Sequence, residues 1–155
     1  MELTPIMRLS VDVRPPISAG ATPHGEIRVL PFESGTFETI PHDGSEPVRG
    51  IVADGGTDWQ TVRADGGLEI RAHYMLATDD GDVVEVVSEG LRHAEPEVLE
   101  RLAGGDDVDP SEYYFRTHVR FATSSEQFDH LNRLLGVAVG QRHARGVHLI
   151  VYAVP

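Results

Sequence analysis

The sequence predicts a mainly β protein, a single antiparallel β-barrel of about eight to ten strands with one or two short helices. Three observations lead there. Sixteen Gly and ten Pro interrupt the chain at short intervals. The segments between them are short and rich in Val, Ile, Thr, Tyr and Phe, and long runs of helical period are absent. A length of 155 residues fits one domain over 1–155.

In chain order the strand-like segments are Leu3–Val13, Glu26–Leu30, Gly35–Ile40, Val48–Val52, Asp58–Arg63, Leu68–Ala77, Asp82–Ser88, Tyr113–Phe121, Leu134–Gly140 and Val147–Val154. Asp79-Asp80-Gly81 reads as a hairpin turn joining Leu68–Ala77 to Asp82–Ser88. A second hairpin is expected across Gln141–Gly146, a polar loop bracketed by Gly140 and Gly146. Glu95–Ala103 is the one clear helix, with Pro96 in its first turn, Val98, Leu99 and Leu102 on one face and Gly104-Gly105 beyond its end. A shorter helical turn is expected after Ser124 or Ser125, where Ser124 and Gln127 match a capping box and Phe128 and Leu131 face the core.

Composition narrows the function. Thirteen basic against 25 acidic side chains give a net charge of −12, which repels nucleic acids and anionic lipid surfaces. No apolar run approaches the roughly 20 residues of a membrane helix. The absence of Cys excludes disulfides, thiolate metal sites and a Cys nucleophile. Met1–Ser10 has no basic segment followed by an apolar stretch, so a cytoplasmic location is expected. The eight His show no His-x-His or His-x-x-x-His spacing, so no metal is expected; His73 and His118 would be the first candidates if one were found. Neither a P-loop nor a dinucleotide fingerprint nor a Gly-x-Ser-x-Gly elbow is present, and no cofactor is expected.

Several residues suit acid, base or anion-holding work. A two-residue Asp80-Gly81 turn would set Met75 opposite Val86 and place Arg71, His73, Met75, Ala77, Val84, Val86 and Ser88 on one face. Both faces of that pair would then be mixed, which suggests a partly polar barrel interior and an exterior covered by a helix or a second subunit, hence a homodimer. Tyr113–Phe121 alternates between Tyr113, Phe115, Thr117, Val119, Phe121 and Tyr114, Arg116, His118, Arg120. Apolar side inward is the simple reading. A functional reading turns Arg116 and Tyr114 into the cavity, as an anion clamp and a proton donor or acceptor. Asp58 stands at a strand mouth beside Trp59, the lone Trp and a candidate aromatic wall, and Glu38 on a barrel strand would have a raised pKa if enclosed.

Taken together, the segments resemble a bacterial family catalogued as domain of unknown function 3237. The carriers are Thr22-Pro23-His24-Gly25, Pro31, Gly35-Thr36-Phe37-Glu38, Gly55-Gly56-Thr57-Asp58-Trp59-Gln60 and Arg63-Ala64-Asp65-Gly66. Arg71, Tyr74, Thr78-Asp79-Asp80-Gly81, Gly90-Leu91-Arg92, Tyr113-Tyr114-Phe115-Arg116-Thr117, Phe121-Ala122-Thr123 and Leu131-Asn132 continue it over nearly the whole chain. Two positions depart from the pattern: His130 replaces an aromatic, and Thr39-Ile40 replace Gly-Pro. The resemblance implies a small calycin-type β-barrel with an interior pocket, and no particular activity.

The leading functional expectation is a small-molecule-binding barrel that acts as a cofactor-independent acid/base enzyme, a cyclase, isomerase or hydro-lyase, on an oxygen-rich organic substrate. Arg116 and Arg71 would hold an anionic oxygen, Asp58 or Glu38 would move the proton, Tyr114 would assist, and Trp59 and His73 would contact substrate. The alternatives are a non-catalytic ligand carrier or sensor and a structural dimer with a filled core. A cavity lined by two or more ionisable groups favours the enzyme, an apolar one the carrier, and none the structural dimer.

Overall fold

A computed structural model describes all 155 residues. Ten strands are formed: β1 (Thr4–Val13), β2 (Ile17–Thr22), β3 (Gly25–Thr39), β4 (Arg49–Val52), β5 (Thr57–Val62), β6 (Leu68–Thr78), β7 (Val83–His93), β8 (Tyr114–Ala122), β9 (Leu135–His143) and β10 (Gly146–Val154). The only α-helix, α1 (Pro96–Ala103), lies between β7 and β8. Neighbours pair antiparallel in the order β1-β10-β9-β8-β7-β6, the sheet continues through β4 and β5 to β3, and β3 pairs back onto β1. The result is a closed eight-position barrel. β4 and β5 share one position, since β3 pairs with β5 over Glu26–Pro31 and with β4 over Thr36–Glu38. β2 is appended to the first half of β3. No helix is long and apolar enough to cross a membrane.

Two expected strands, Glu26–Leu30 and Gly35–Ile40, are one. β3 runs through Pro31 and bends where its register with β1 shifts between Asp12 and Val13. A missing N–H and a bulge both imitate a strand end in the sequence. β2 gave no signal because its Ser, Ala and Gly have little preference for strands, and pairing with β3 holds it. The second hairpin forms with a tighter loop than expected, His143 pairing directly with Gly146. Phe128 and Leu131 are buried as expected, in and before a short 3-10 turn at Asp129–Arg133. That turn has no side-chain cap; the Ser125 hydroxyl accepts from the Phe128 N–H at 3.4 Å in the residues just before it.

The β6–β7 hairpin corrects the expected register. Its loop has three residues, with Gly81 at φ 88°, the Gly81 N–H donating to the Thr78 carbonyl and the Thr78 N–H to that of Asp82. Met75 therefore faces Glu85, and Leu76 faces Val84. That one-residue slip exchanges faces. Ile70, Ala72, Tyr74, Leu76, Val84, Val86 and Ser88 point inward and are buried, whereas Arg71, His73, Met75, Glu85 and Glu89 point outward. The inward face is apolar as far as Ser88, while the outward face mixes Arg71, His73, Glu85 and Glu89 with the exposed Met75, Val83 and Leu91.

The interior is packed in one half and hollow in the other. Met7, Leu9, Phe37, Val52, Leu76, Val84, Val86, Val119 and Phe121 fill the end near the β6–β7 turn. At the other end α1 lies across the opening with Val98 and Leu102 buried. Close packing extends up to the hollow: a Cβ on Gly140 would lie 2.6 Å from the Phe115 ring. Gly140→Ala is expected to cost about 1–3 kcal/mol through overpacking. Urea denaturation reads this directly, and an unchanged midpoint would show that the ring yields freely.

Candidate functional site

The hollow end is a cavity of about 800 Å³. The first half of β3 contributes Arg28, Leu30 and Phe32, and β5 contributes Asp58 and Gln60. Ile70, Ala72 and Tyr74 come from β6, Ser88 and Arg92 from β7, Phe115 and Thr117 from β8, and Arg142 from β9. Leu99 and Ala103 of α1 complete the wall. Alternation explains the selection: each is an inward position of its strand at the end the core leaves unfilled. The filled-core alternative therefore does not describe this barrel.

The polar wall is linked. The Arg28 Nε–H donates to Gln60 Oε1 at 2.8 Å, and Gln60 Nε2 donates to Asp58 Oδ2 at 2.6 Å. Asp58 Oδ1 is buried without a hydrogen-bond partner, as is Arg92 Nε. The Arg142 backbone N–H donates to the Tyr113 hydroxyl at 2.9 Å, fixing the end of β9. On the floor, Ser88 Oγ donates to Thr117 Oγ1 at 2.7 Å. The Phe32 and Tyr74 rings meet at 5.4 Å and form an aromatic side to the space.

Burial dominates the electrostatics. It raises the Asp58 carboxyl to about 6, although the Gln60 hydrogen bond, the Arg71 backbone N–H and the charges of Arg92 and Arg28 all act to lower it. Arg92 is pushed down to about 10, first by burial and then by the positive charges of Arg142 and Arg28. Arg142 moves down for the same reasons, burial and then Arg28. Tyr74 is held well above the usual phenol range by burial, with Asp58 adding to the effect.

Of the residues expected from sequence, the structure brings Asp58 alone into this cavity. Arg71 and His73 lie on the outer face of β6, where His73 Nε2 is 3.0 Å from Glu85 Oε2. Trp59 is 46% exposed and sits opposite Arg71 across the β5–β6 ladder. Tyr114 is 55% exposed, and the Arg116 guanidinium lies 5.4 Å from its ring centre while Nη1 donates to the Phe115 carbonyl at 2.9 Å. The buried side of β8 is the one with Tyr113, Phe115, Thr117, Val119 and Phe121, so the simple reading of its alternation describes the strand. Glu38 pairs with Arg49 at 3.3 Å and lines a separate groove on the outer surface. No three His, Asp or Glu side chains are grouped to hold a metal ion.

Sequence reading missed Gln60, Arg28, Arg92 and Arg142. Gln60 was within reach, being two residues beyond Asp58 and hence on the same strand face. The three arginines carried one available signal: all thirteen basic residues are Arg and none is Lys. Arginine is the cation that tolerates burial against planar oxyanions.

Comparison with known proteins agrees with the barrel. The family described as "Protein of unknown function (DUF3237)" matches residues 1–154. A UPF0311 protein of Rhodopseudomonas palustris is 36% identical over 137 residues, covering 88% of this chain and 86% of the relative. A UPF0311 protein of Clostridium acetobutylicum is 30% identical over 155 residues, covering 99% and 94%. Among solved structures, a beta-barrel like protein from Acinetobacter baumannii superposes with a TM-score of 0.80 at 34% identity, covering 98% of this chain and 94% of that one. An enzyme from Penicillium herquei superposes with a TM-score of 0.70 at 19% identity over 99% and 94%, a likeness of fold alone. With a family match over nearly its full length and relatives above 30% identity, the chain belongs to the DUF3237 family of proteins of unknown function.

Proposed function

We propose that this protein is a small-molecule-binding barrel that works as a cofactor-independent acid/base enzyme, a cyclase, isomerase or hydro-lyase acting on an oxygen-rich organic substrate. The observation that carries this reading is the Asp58 carboxyl: buried, aimed into a ligand-sized cavity and held at about 6. A group with that pKa is mostly carboxylate at neutral pH yet readily protonated, as general acid/base work requires. Its free Oδ1 is the atom that exchanges the proton with substrate, while Gln60, itself held by Arg28, donates to Oδ2 and keeps it in place. Ring closure, isomerisation and loss of water each need a proton moved beside an oxygen, which is why the three reactions stand together. Apolar walls from Leu30, Phe32, Ile70 and Leu149 favour the carrier reading as the alternative.

Incubation with a metabolite extract in D2O separates the two. The enzyme reading expects at least one cavity-bound compound to gain deuterium or change mass, seen by mass spectrometry. A compound recovered from the protein in stoichiometric amount, unchanged and undeuterated, would establish the carrier instead.

A further inference from the structure

We propose that the cavity selects an organic carboxylate, its oxyanion seated among Arg28, Arg92 and Arg142 and its apolar body against Phe32 and Tyr74. This rests on the reading of the cavity as the ligand site and names the class of ligand. Five arginines line the cavity, the exposed Arg14 and Arg145 joining the three, against two acids, Asp58 and Glu33. In a chain of net charge −12 this is a local inversion of sign. The ion pairs that arginines make lie elsewhere, on Arg49, Arg63, Arg101 and Arg133, so none of the five cavity arginines has a carboxylate within salt-bridge distance.

Acids are abundant enough to have neutralised these groups. Instead Arg92 keeps an unpartnered buried Nε, and each of Arg92 and Arg142 has its charge opposed by a neighbouring guanidinium. A guanidinium presents its N–H groups in a planar fork that matches a carboxylate, and a low-dielectric wall strengthens the match. The apolar remainder of the wall argues for a ligand with a hydrocarbon body over a small inorganic anion.

The test compares two compounds of one shape and different charge, 1-naphthoate and 1-naphthamide, by isothermal titration at pH 7 with the full chain. The proposal expects naphthoate to bind at least tenfold more tightly. That preference should fall to threefold or less in Arg92→Met and, as an independent second variant, in Arg142→Met, and should persist in Arg120→Met on the outer face of β8. Equal affinity for the two compounds, no binding of naphthoate at millimolar concentration, or a preference that survives in both cavity variants would overturn it. Displacement of naphthoate by an equal concentration of inorganic phosphate would also overturn it, because the apolar body would then contribute nothing. Equilibrium preference for charge does not require Asp58 to move a proton. A retained preference with no turnover of any bound compound would overturn the acid/base reading alone.

Discussion

Replacing Asp58 by Asn is expected to lower turnover of the natural substrate by about 10²–10⁴-fold, the usual contribution of a positioned acid or base. Binding should persist, since Arg28, Arg92 and Arg142 remain. The same substitution changes stability in a direction that depends on pH. In the unfolded chain an Asp carboxyl titrates near 3.9, while in the folded protein Asp58 titrates at about 6. Between those values the native state holds a proton that the unfolded state has released, so stability falls as pH rises through the window from about 4 to about 6. Above it both states are ionised and the whole penalty remains, roughly 3 kcal/mol for a shift of about two pH units. Asparagine cannot ionise. The variant should match the parent near pH 4, lose this segment of pH dependence, and be the more stable protein at pH 7. Urea unfolding of both proteins at intervals from pH 4 to pH 8 checks this. Parallel stability curves would show that Asp58 is not desolvated in the native state.

Arg92→Met is expected to raise stability while weakening anion binding. Arg92 is a half-buried cation with no carboxylate partner, a buried and unpaired Nε and two guanidinium neighbours acting against its charge. Methionine keeps an unbranched stem of similar reach and removes the charge. Exchanges of buried ionic groups for apolar ones gain about 1–4 kcal/mol where packing is kept, and for a chain of this size each kcal/mol moves Tm by about 2–4 °C. The charge of Arg92 also lowers the Asp58 pKa, so its removal should move that carboxyl further up. A melting curve combined with carbon-13 titration of the Asp58 carboxyl reads both effects. A lower Tm with an unmoved carboxyl would mean that Arg92 is solvated and structural. A stability gain matched by a binding loss is the signature of a residue kept for function.

Local sequence signals supply the alphabet of the barrel. Gly and Pro spacing, the strand-forming run Leu68–Ala77, alternation in Tyr113–Phe121, and the Pro-first, Gly-last helix expected over Glu95–Ala103 are local signals, set by neighbours a few residues apart, and the structure forms each of these elements. Asp58 was legible for the same reason, as an acid beside a Gly-rich turn at a strand mouth. Which faces lie inside depends on pairing between strands. One extra loop residue, Asp79, moves Arg71 and His73 from one face of the sheet to the other, because side chains alternate with period two and hydrogen bonding across the turn sets their phase. The assembly of the site was decided there too. Arg28, Arg92 and Arg142 come from β3, β7 and β9, far apart in the chain, and meet only because closure of β3 onto β1 brings their inward positions around one unfilled end. An arginine on a strand reads as a surface residue until barrel closure removes it from water, and that step depends on every strand at once.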